Sequence, residues 1–377
     1  MKLSLESNLL LSQCNILKFK GIEMVNLKSL LSEHPELLNL VFGYSNLIFE
    51  NIKPPEEATP NSICFMSKPT QLPLLESLTS QLLIITDKIW ESNSNQFIEF
   101  SKRQSSAVIT CRNLQVCMAH ILNYFDQRDN LRSYPLGISP LSWIDPRARI
   151  SSDVSIAPFT TIGPNVQIGE RTIIGPNCTI EGDVKIGSDC LVESHVFIGR
   201  QCLIGNSCRI KPFASIGADG YGYAPTKSRP LKVPQIGIVV LEDYVDVGSS
   251  VCIDRATLTQ TKIGTGTKID NLVHIAHNCE IGKYCFLTAG FAMAGSSKIG
   301  NHFMTGGASC VGDHVTISDD VTLAGASVVT SDIETAGAFG GNPIQPMQDY
   351  LRIRSTITHL PQMRKKINQI LKHLGLS

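Results

Sequence analysis

Two histidines three residues apart, His274 and His277 in the stretch NLVHIAHNCEIG (residues 271–282), open the chemical reading of a chain that has nine histidines in all. A pair of imidazoles can hold a divalent metal, or one ring can act as a general base near neutral pH while the other is surface filler. Which of these applies depends on where the surrounding elements aim each ring.

Composition narrows the partners first. The 377 residues carry 33 basic and 33 acidic side chains, so no global field draws the chain to nucleic acid or to a membrane surface. Twelve cysteines stand singly, without C-x-x-C pairs, and nothing at the N-terminus reads as a signal peptide, which points to free thiols in a reducing cytoplasm. Apolar runs such as Leu82 to Ile85 fall far short of the ~20 residues of a membrane span.

The positioning element is a repeat. From Ile144 an aliphatic residue occupies every sixth position through Ile216, thirteen in one register. The stretch GADGYGYAPTKSRPLKVPQIG (217–237) interrupts it, Leu241, Val247 and Ile253 continue the spacing, and it resumes from Ile263 to Val329 with Thr305 as the single polar exception. A period of six fits neither an amphipathic helix nor one alternating strand. It fits a hexapeptide parallel β-helix over residues 141–335, in which the aliphatic side chain points to the axis and three hexads close a coil. Glycine directly after the aliphatic, as at Gly163, Gly169, Gly264 and Gly282, is expected to supply a positive φ at the corners.

Eighteen residues per coil place equivalent positions about 4.8 Å apart along the axis. Ile275 points inward, so His274 projects from a flat side and His277 sits at a corner, with Gly295 one coil above it and His314 two coils above, offset by one residue. Two coils are roughly 9–10 Å, too far for His277 and His314 to share one zinc at ~2.1 Å per ligand, so no metal site is expected.

The flanks differ. SICFMS (62–67), QLLIIT (81–86) and SAVIT (106–110) read as strands and NLQVCMAHILNYF (113–125) as a helix, giving an N-terminal α/β domain over 1–135 joined by a linker, DQRDNLRSYPLGISP. Residues 340–377 carry apolar residues at helical spacing with Pro361 as a kink or break, and six basic side chains against one acid, Asp349. That basic face suits either trimer packing with a solvated surface or docking of an acidic partner.

IDNLVHIAHN (269–278), AGFAMAGSSKIG (289–300), GGASCVGDH (306–314) and GGNPIQP (340–346), with GADGYGYA, KVPQIG and CIDRATL (252–258), closely resemble the UDP-3-O-acylglucosamine N-acyltransferases of lipid A biosynthesis. The likeness covers residues from about 105 to 350 and implies a left-handed coil and a homotrimer with sites between adjacent subunits. It implies transfer of a 3-hydroxyacyl chain from acyl carrier protein, where phosphopantetheine carries it as a thioester, to the 2-amino group of UDP-3-O-acylglucosamine, with no further cofactor.

The same resemblance makes His277 the general base and His314 a substrate-binding or carrier-binding residue. The stacked Gly295 N–H is the candidate donor to the oxyanion. Asp270 and Asn271 match the motif but lie at another corner of their own chain, so that Asp270 would orient His277, and Asn271 meet substrate, only across a subunit interface. Tyr221 and Tyr223 fall in the family's loop as expected substrate contacts.

The likeness weakens at FMSKPTQ (65–71), where the family has F-x-x-N-P-K-Y. Phe65 and Pro69 remain, Lys68 replaces the Asn as a candidate phosphate contact, and Gln71 replaces the Tyr, leaving half of the uracil sandwich. The alternatives are an N-acyltransferase for another nucleotide amino sugar or for an acyl-coenzyme A donor, and a non-catalytic solenoid homologue. Val328 or Met293 are expected along the lower cleft, where acyl length would be read.

Overall fold

The computed structural model describes residues 25–130 and 136–376. Residues 1–24 of the expected N-terminal domain and 131–135 of the expected linker lie outside them. The described chain divides into two compact units, residues 25–130 and 136–376.

In the first unit, apolar runs become strands because both faces of the sheet are covered. Leu82–Thr86 lies centrally, parallel to Ser62–Met66 and Ala107–Cys111, with Asn51–Ile52 at one edge and Asn39–Gly43 antiparallel at the other. Leu82 and Ile84 join one buried cluster with Leu27, Leu30 and Ile121; Leu83 and Ile85 join another with Ile89, Phe97 and Phe100. The three strands and the helix read from sequence are present, the helix spanning Leu114–Asn130. The helix Asp87–Gln104 and the strand Asn39–Gly43 were not anticipated.

The second unit is the solenoid. Short strands, most of them two residues long and ending on the aliphatic of their hexad, stack into three sheets of eleven, ten and nine strands. Partners lie eighteen residues apart, as in Ile162 with Ile180 and Ile281 with Ile299. The offset grows to thirty-seven where the 217–237 excursion enters, Ile216 pairing with Ile253, and to twenty-two in the next coil, Ile253 pairing with Ile275. Both insertions leave at the same corner, so the register of the flat faces survives them.

A second inward position, two residues before the aliphatic, completes the core and was not read from the sequence. It holds mostly small residues such as Val184, Thr160, Cys178, Cys279 and Ser297, with Phe291 and Phe303 as large exceptions. Hydroxyls and thiols there donate to carbonyls of the following coil: Thr160 Oγ1 to Gly175 O at 2.7 Å, Ser297 Oγ to Gly312 O at 2.6 Å, and Cys178 Sγ to Glu193 O at 2.9 Å. This accounts for most of the solenoid's single cysteines. Burial pushes the Cys178 thiol up to about 11 and that of Cys279 up to about 12, which keeps them protonated and inert at neutral pH.

The expected reason for the corner glycines is wrong. The left-handed residues lie three past the aliphatic and are mostly non-glycine, Gly266 and Gly290 being exceptions; among them are Asn165, Arg171, Asp183, His195, Asn278 and His314, with φ between 56° and 63° at these six. Asn and Asp tolerate that region best, and the others are held there by the coil above and below. The glycines directly after the aliphatic are needed for space instead: a Cβ on Gly282 would stand 2.5 Å from the Gly300 carbonyl carbon, and one on Gly264 2.5 Å from that of Gly282.

At the C-terminus the helical spacing becomes two helices, Met347–Ile357 and Leu360–His373, divided at His359, with Pro361 in the first turn of the second, where its missing N–H costs nothing. Neither buries a side chain. No helix among the described residues is long and apolar enough to cross a membrane.

Gly282→Ala is expected to lower solenoid stability by about 1–3 kcal/mol because backbone, not a pliable side chain, meets the new methyl. Gly312→Ala, whose nearest neighbour would be Val329 O at 3.3 Å, should cost less. Urea midpoints at fixed protein concentration test this; equal losses would refute the spatial account.

Candidate active site around His277

The corner that carries both insertions also carries His277. Its ring lies between two glycines: a Cβ on Gly295 would be 2.6 Å from Cε1 and 2.9 Å from Nε2, and one on Gly220, at the start of the excursion, 2.7 Å from the His277 Cβ. Any side chain at either position would displace the imidazole. Gly295 is thus placed where the register puts it, and Gly220 is a wall the sequence reading missed.

A hydrogen bond fixes the tautomer. His277 Nδ1 lies 3.0 Å from Asn278 Oδ1, and that oxygen also receives the Thr257 N–H at 3.1 Å. A backbone N–H can only donate, so the Asn278 atom facing it is the carbonyl oxygen. An oxygen acceptor 3.0 Å from Nδ1 puts the neutral ring's proton on Nδ1 and leaves the lone pair on Nε2, beside Gly295. Gly295 O accepts the His314 amide at 3.1 Å, while its own N–H finds no acceptor among the described residues. His277, Gly295 and His314 are brought together as expected.

Asp254 joins the site unannounced. It sits on the strand Cys252–Arg255, in the coil beneath His274, with Oδ2 3.9 Å from His274 Nε2. Burial pushes its carboxyl above the usual carboxylate range, against the pull of His274 and His277, and Asp219 adds to the rise. His274, half-exposed on the flat side as expected, therefore faces a half-buried acid. Asp219 itself is held low by Lys232, whose Nζ lies 2.6 Å from Oδ2.

Other expected residues lie elsewhere. Asp270 uses both carboxylate oxygens within its own chain, Oδ1 accepting from Asn271 N at 2.7 Å and Oδ2 from Ala289 N at 3.1 Å; Asn271 Oδ1 accepts from Ser249 N at 2.8 Å. Within one chain both cap backbone amides at a different corner and do not touch His277. Tyr221 and Tyr223 stand on the excursion with ring centroids 5.2 Å apart, and Tyr221 is 84% exposed. Met293 cannot line a cleft: it is fully buried, pointing to the axis of the solenoid, whereas Val328 is half-buried on a face.

In the first unit Phe65 is half-buried against the sheet core and Lys68 is exposed. Gln71 Oε1 accepts from Ser67 N at 3.0 Å and Lys68 N at 3.1 Å, so it caps the turn at Pro69–Glu76. Among the described residues no group of three or more His, Cys, Asp or Glu side chains could hold a metal.

A protein from Syntrophotalea carbinolica named UDP-3-O-acylglucosamine N-acyltransferase is 38% identical over 345 residues, covering 91% of this chain and 96% of its own. This chain belongs to that acyltransferase family. A Campylobacter lari protein of the same name is 44% identical over 143 residues, a stretch spanning 38% of this chain and 45% of the relative. A family model described as the GMPPB C-terminal domain matches residues 138–262, inside the solenoid. The solved structure of an Arabidopsis UDP-N-acetylglucosamine acyltransferase matches with a TM-score of 0.51 at 24% identity, covering 55% of this chain and 73% of that one. The solenoid is accordingly a left-handed parallel β-helix, and the protein is an acyltransferase enzyme of the lipid A pathway.

The raised carboxyl of Asp254 has a signed consequence. An acid whose pKa is higher folded than unfolded adds stability below about pH 4, its ordinary range, and loses it as pH rises through the folded value. Asp254→Asn should therefore raise the urea midpoint at pH 7 and give no gain near pH 4. A variant destabilised more at pH 7 than near pH 4 would show instead that the charged form stabilises the fold, and would overturn the raised carboxyl.

Proposed function

We propose that this acyltransferase joins a 3-hydroxyacyl chain, carried as a thioester on the phosphopantetheine of acyl carrier protein, to the 2-amino group of UDP-3-O-acylglucosamine. The observation that carries the reading is the His277 ring held between Gly220 and Gly295 with its lone pair on Nε2. The amine nitrogen adds to the thioester carbonyl while Nε2 takes its proton. The Gly295 N–H donates to the oxygen that becomes negative. Collapse breaks the carbon–sulfur bond, and the imidazolium returns the proton to the departing thiolate.

The working protein is a homotrimer in the cytoplasm. Apolar side chains left exposed on the faces of the single chain, Trp143, Phe286 and Met304, support an assembly that covers them. Asp270 and Asn271 then serve a neighbouring site, His314 contacts substrate or carrier, Tyr221 and Tyr223 the sugar nucleotide, and Phe65 and Lys68 the uridine diphosphate. A second acceptor, another nucleotide amino sugar, is favoured by one feature: Gln71 spends its side-chain oxygen on a helix cap and gives no aromatic partner to Phe65.

His277→Ala should lower kcat by about 10²–10⁴-fold while the trimer elutes unchanged. Mass spectrometry of the product from equimolar acyl-carrier-protein and acyl-coenzyme A donors, offered with UDP-3-O-acylglucosamine or with other UDP-amino sugars, tests donor and acceptor together. Turnover with coenzyme A alone, or on another sugar alone, would overturn the assignment.

A further inference from the structure

Among the described residues Arg255 is the largest fully buried side chain, 1% exposed, and none of their carboxylates neutralises it at hydrogen-bond distance; Asp219 Oδ1 stands 3.9 Å from Nε. A buried cation is costly unless its donors are satisfied. Here they are taken by three main-chain carbonyls: Nε donates to Gly217 O at 2.7 Å, Nη1 to Gly237 O at 3.3 Å and Nη2 to Arg200 O at 3.2 Å. Gly217 and Gly237 are the first and last residues of the excursion, and Arg200 belongs to the coil beneath. One guanidinium thus ties both ends of a twenty-one-residue detour to the solenoid. Its fork geometry is required, since an ammonium is a single point donor and cannot span three separated carbonyls. The fit is close: a Cβ on Gly199 would come within 2.7 Å of Nη2.

The tied loop bears on the reacting ring by two routes. Gly220, three residues past the pinned Gly217, abuts His277. Two residues past Arg255, Thr257 donates its N–H to Asn278 Oδ1, the oxygen that fixes the His277 tautomer, and its Oγ1 lies 3.0 Å from both that oxygen and Gln235 Oε1 on the returning limb. Gln235 is itself 2% exposed, with its carbonyl on Arg200 Nη2 at 3.3 Å. The four residues by which the Ile253-to-Ile263 interval exceeds a hexad are what put Arg255 and Thr257 in these places.

We propose that Arg255 is a positioning residue for His277: by clamping both ends of the 217–237 excursion it holds Gly220 and the Thr257–Asn278 pair against the imidazole. The inference rests on His277 being the base of the proposed reaction, and three measurements on the full-length protein test it. Hydrogen exchange reads the loop base, where Ile236, Gly237 and Ile238 donate to Thr257, Ala256 and Thr259 carbonyls. Long-range nitrogen spectra of histidine-labelled protein, assigned with His277→Ala, read the tautomer. Steady-state kinetics read kcat and KM.

In Arg255→Met we expect exchange at the loop base to rise at least about tenfold and the His277 signal to move from a pure Nδ1–H form toward a mixture. Displacements of this kind cost up to about 10²-fold in rate, so kcat should fall by about 10–10²-fold and KM by less. Arg255→Lys should recover part of each. Exchange confined to wild-type values with an unmoved His277 signal overturns the proposal. So does faster exchange throughout the solenoid, which would make Arg255 a core-stability residue only. Absence of turnover in the unaltered protein defeats the proposed reaction instead, and the exchange and imidazole readings still decide the clamp.

Discussion

Parallel backbone hydrogen bonds between coils eighteen residues apart set the height of every side chain in the solenoid. Each coil offers its neighbours a closed ladder on three faces, and a chain that slipped by one residue would turn every inward Ile toward water. The slip is blocked twice, by the aliphatic of each hexad and by the second inward residue two positions before it. Wherever extra residues enter, they must leave and return at a corner. That is why Ile253 still lies beneath Ile275 after the chain has added four residues, and Ile216 beneath Ile253 after it has added nineteen.

This constraint explains what could be read from residues alone. The hexad spacing located the solenoid, and simple addition put Gly295 over His277. The same arithmetic could not foresee Gly220 or Thr257, because both belong to insertions whose path is not periodic. Asn278 stands inside the histidine motif, but its role rests on which atom Thr257 N–H meets, a fact of three dimensions. Asp254 was likewise invisible, since it lies in the second insertion and its surroundings depend on the irregular pairing with Ala218 at the start of the excursion.

The corner glycines are an instructive error. Glycine suggests a left-handed backbone, and the solenoid does contain a left-handed residue in nearly every hexad. It is the residue two further on, commonly Asn, Asp or Ser. Glycine is required two residues earlier because the next coil's carbonyl occupies the place a methyl would take. Residue type pointed to a tight corner correctly and to the wrong torsion. In FMSKPTQ the reverse holds: the departure at Gln71 was seen, and its reason, a side-chain cap on two amides, required coordinates.

All irregularity is gathered on one of three edges. The excursion, the four-residue bulge, His277, Gly295 and His314 climb that edge in successive coils, while the other two edges repeat almost without variation. A prism with one variable edge can change what it handles without changing how it folds: a longer detour or a different side chain there leaves every ladder bond in place. The two quiet edges act as a template, held by the stacking itself, against which chemistry at the third edge can vary one coil at a time.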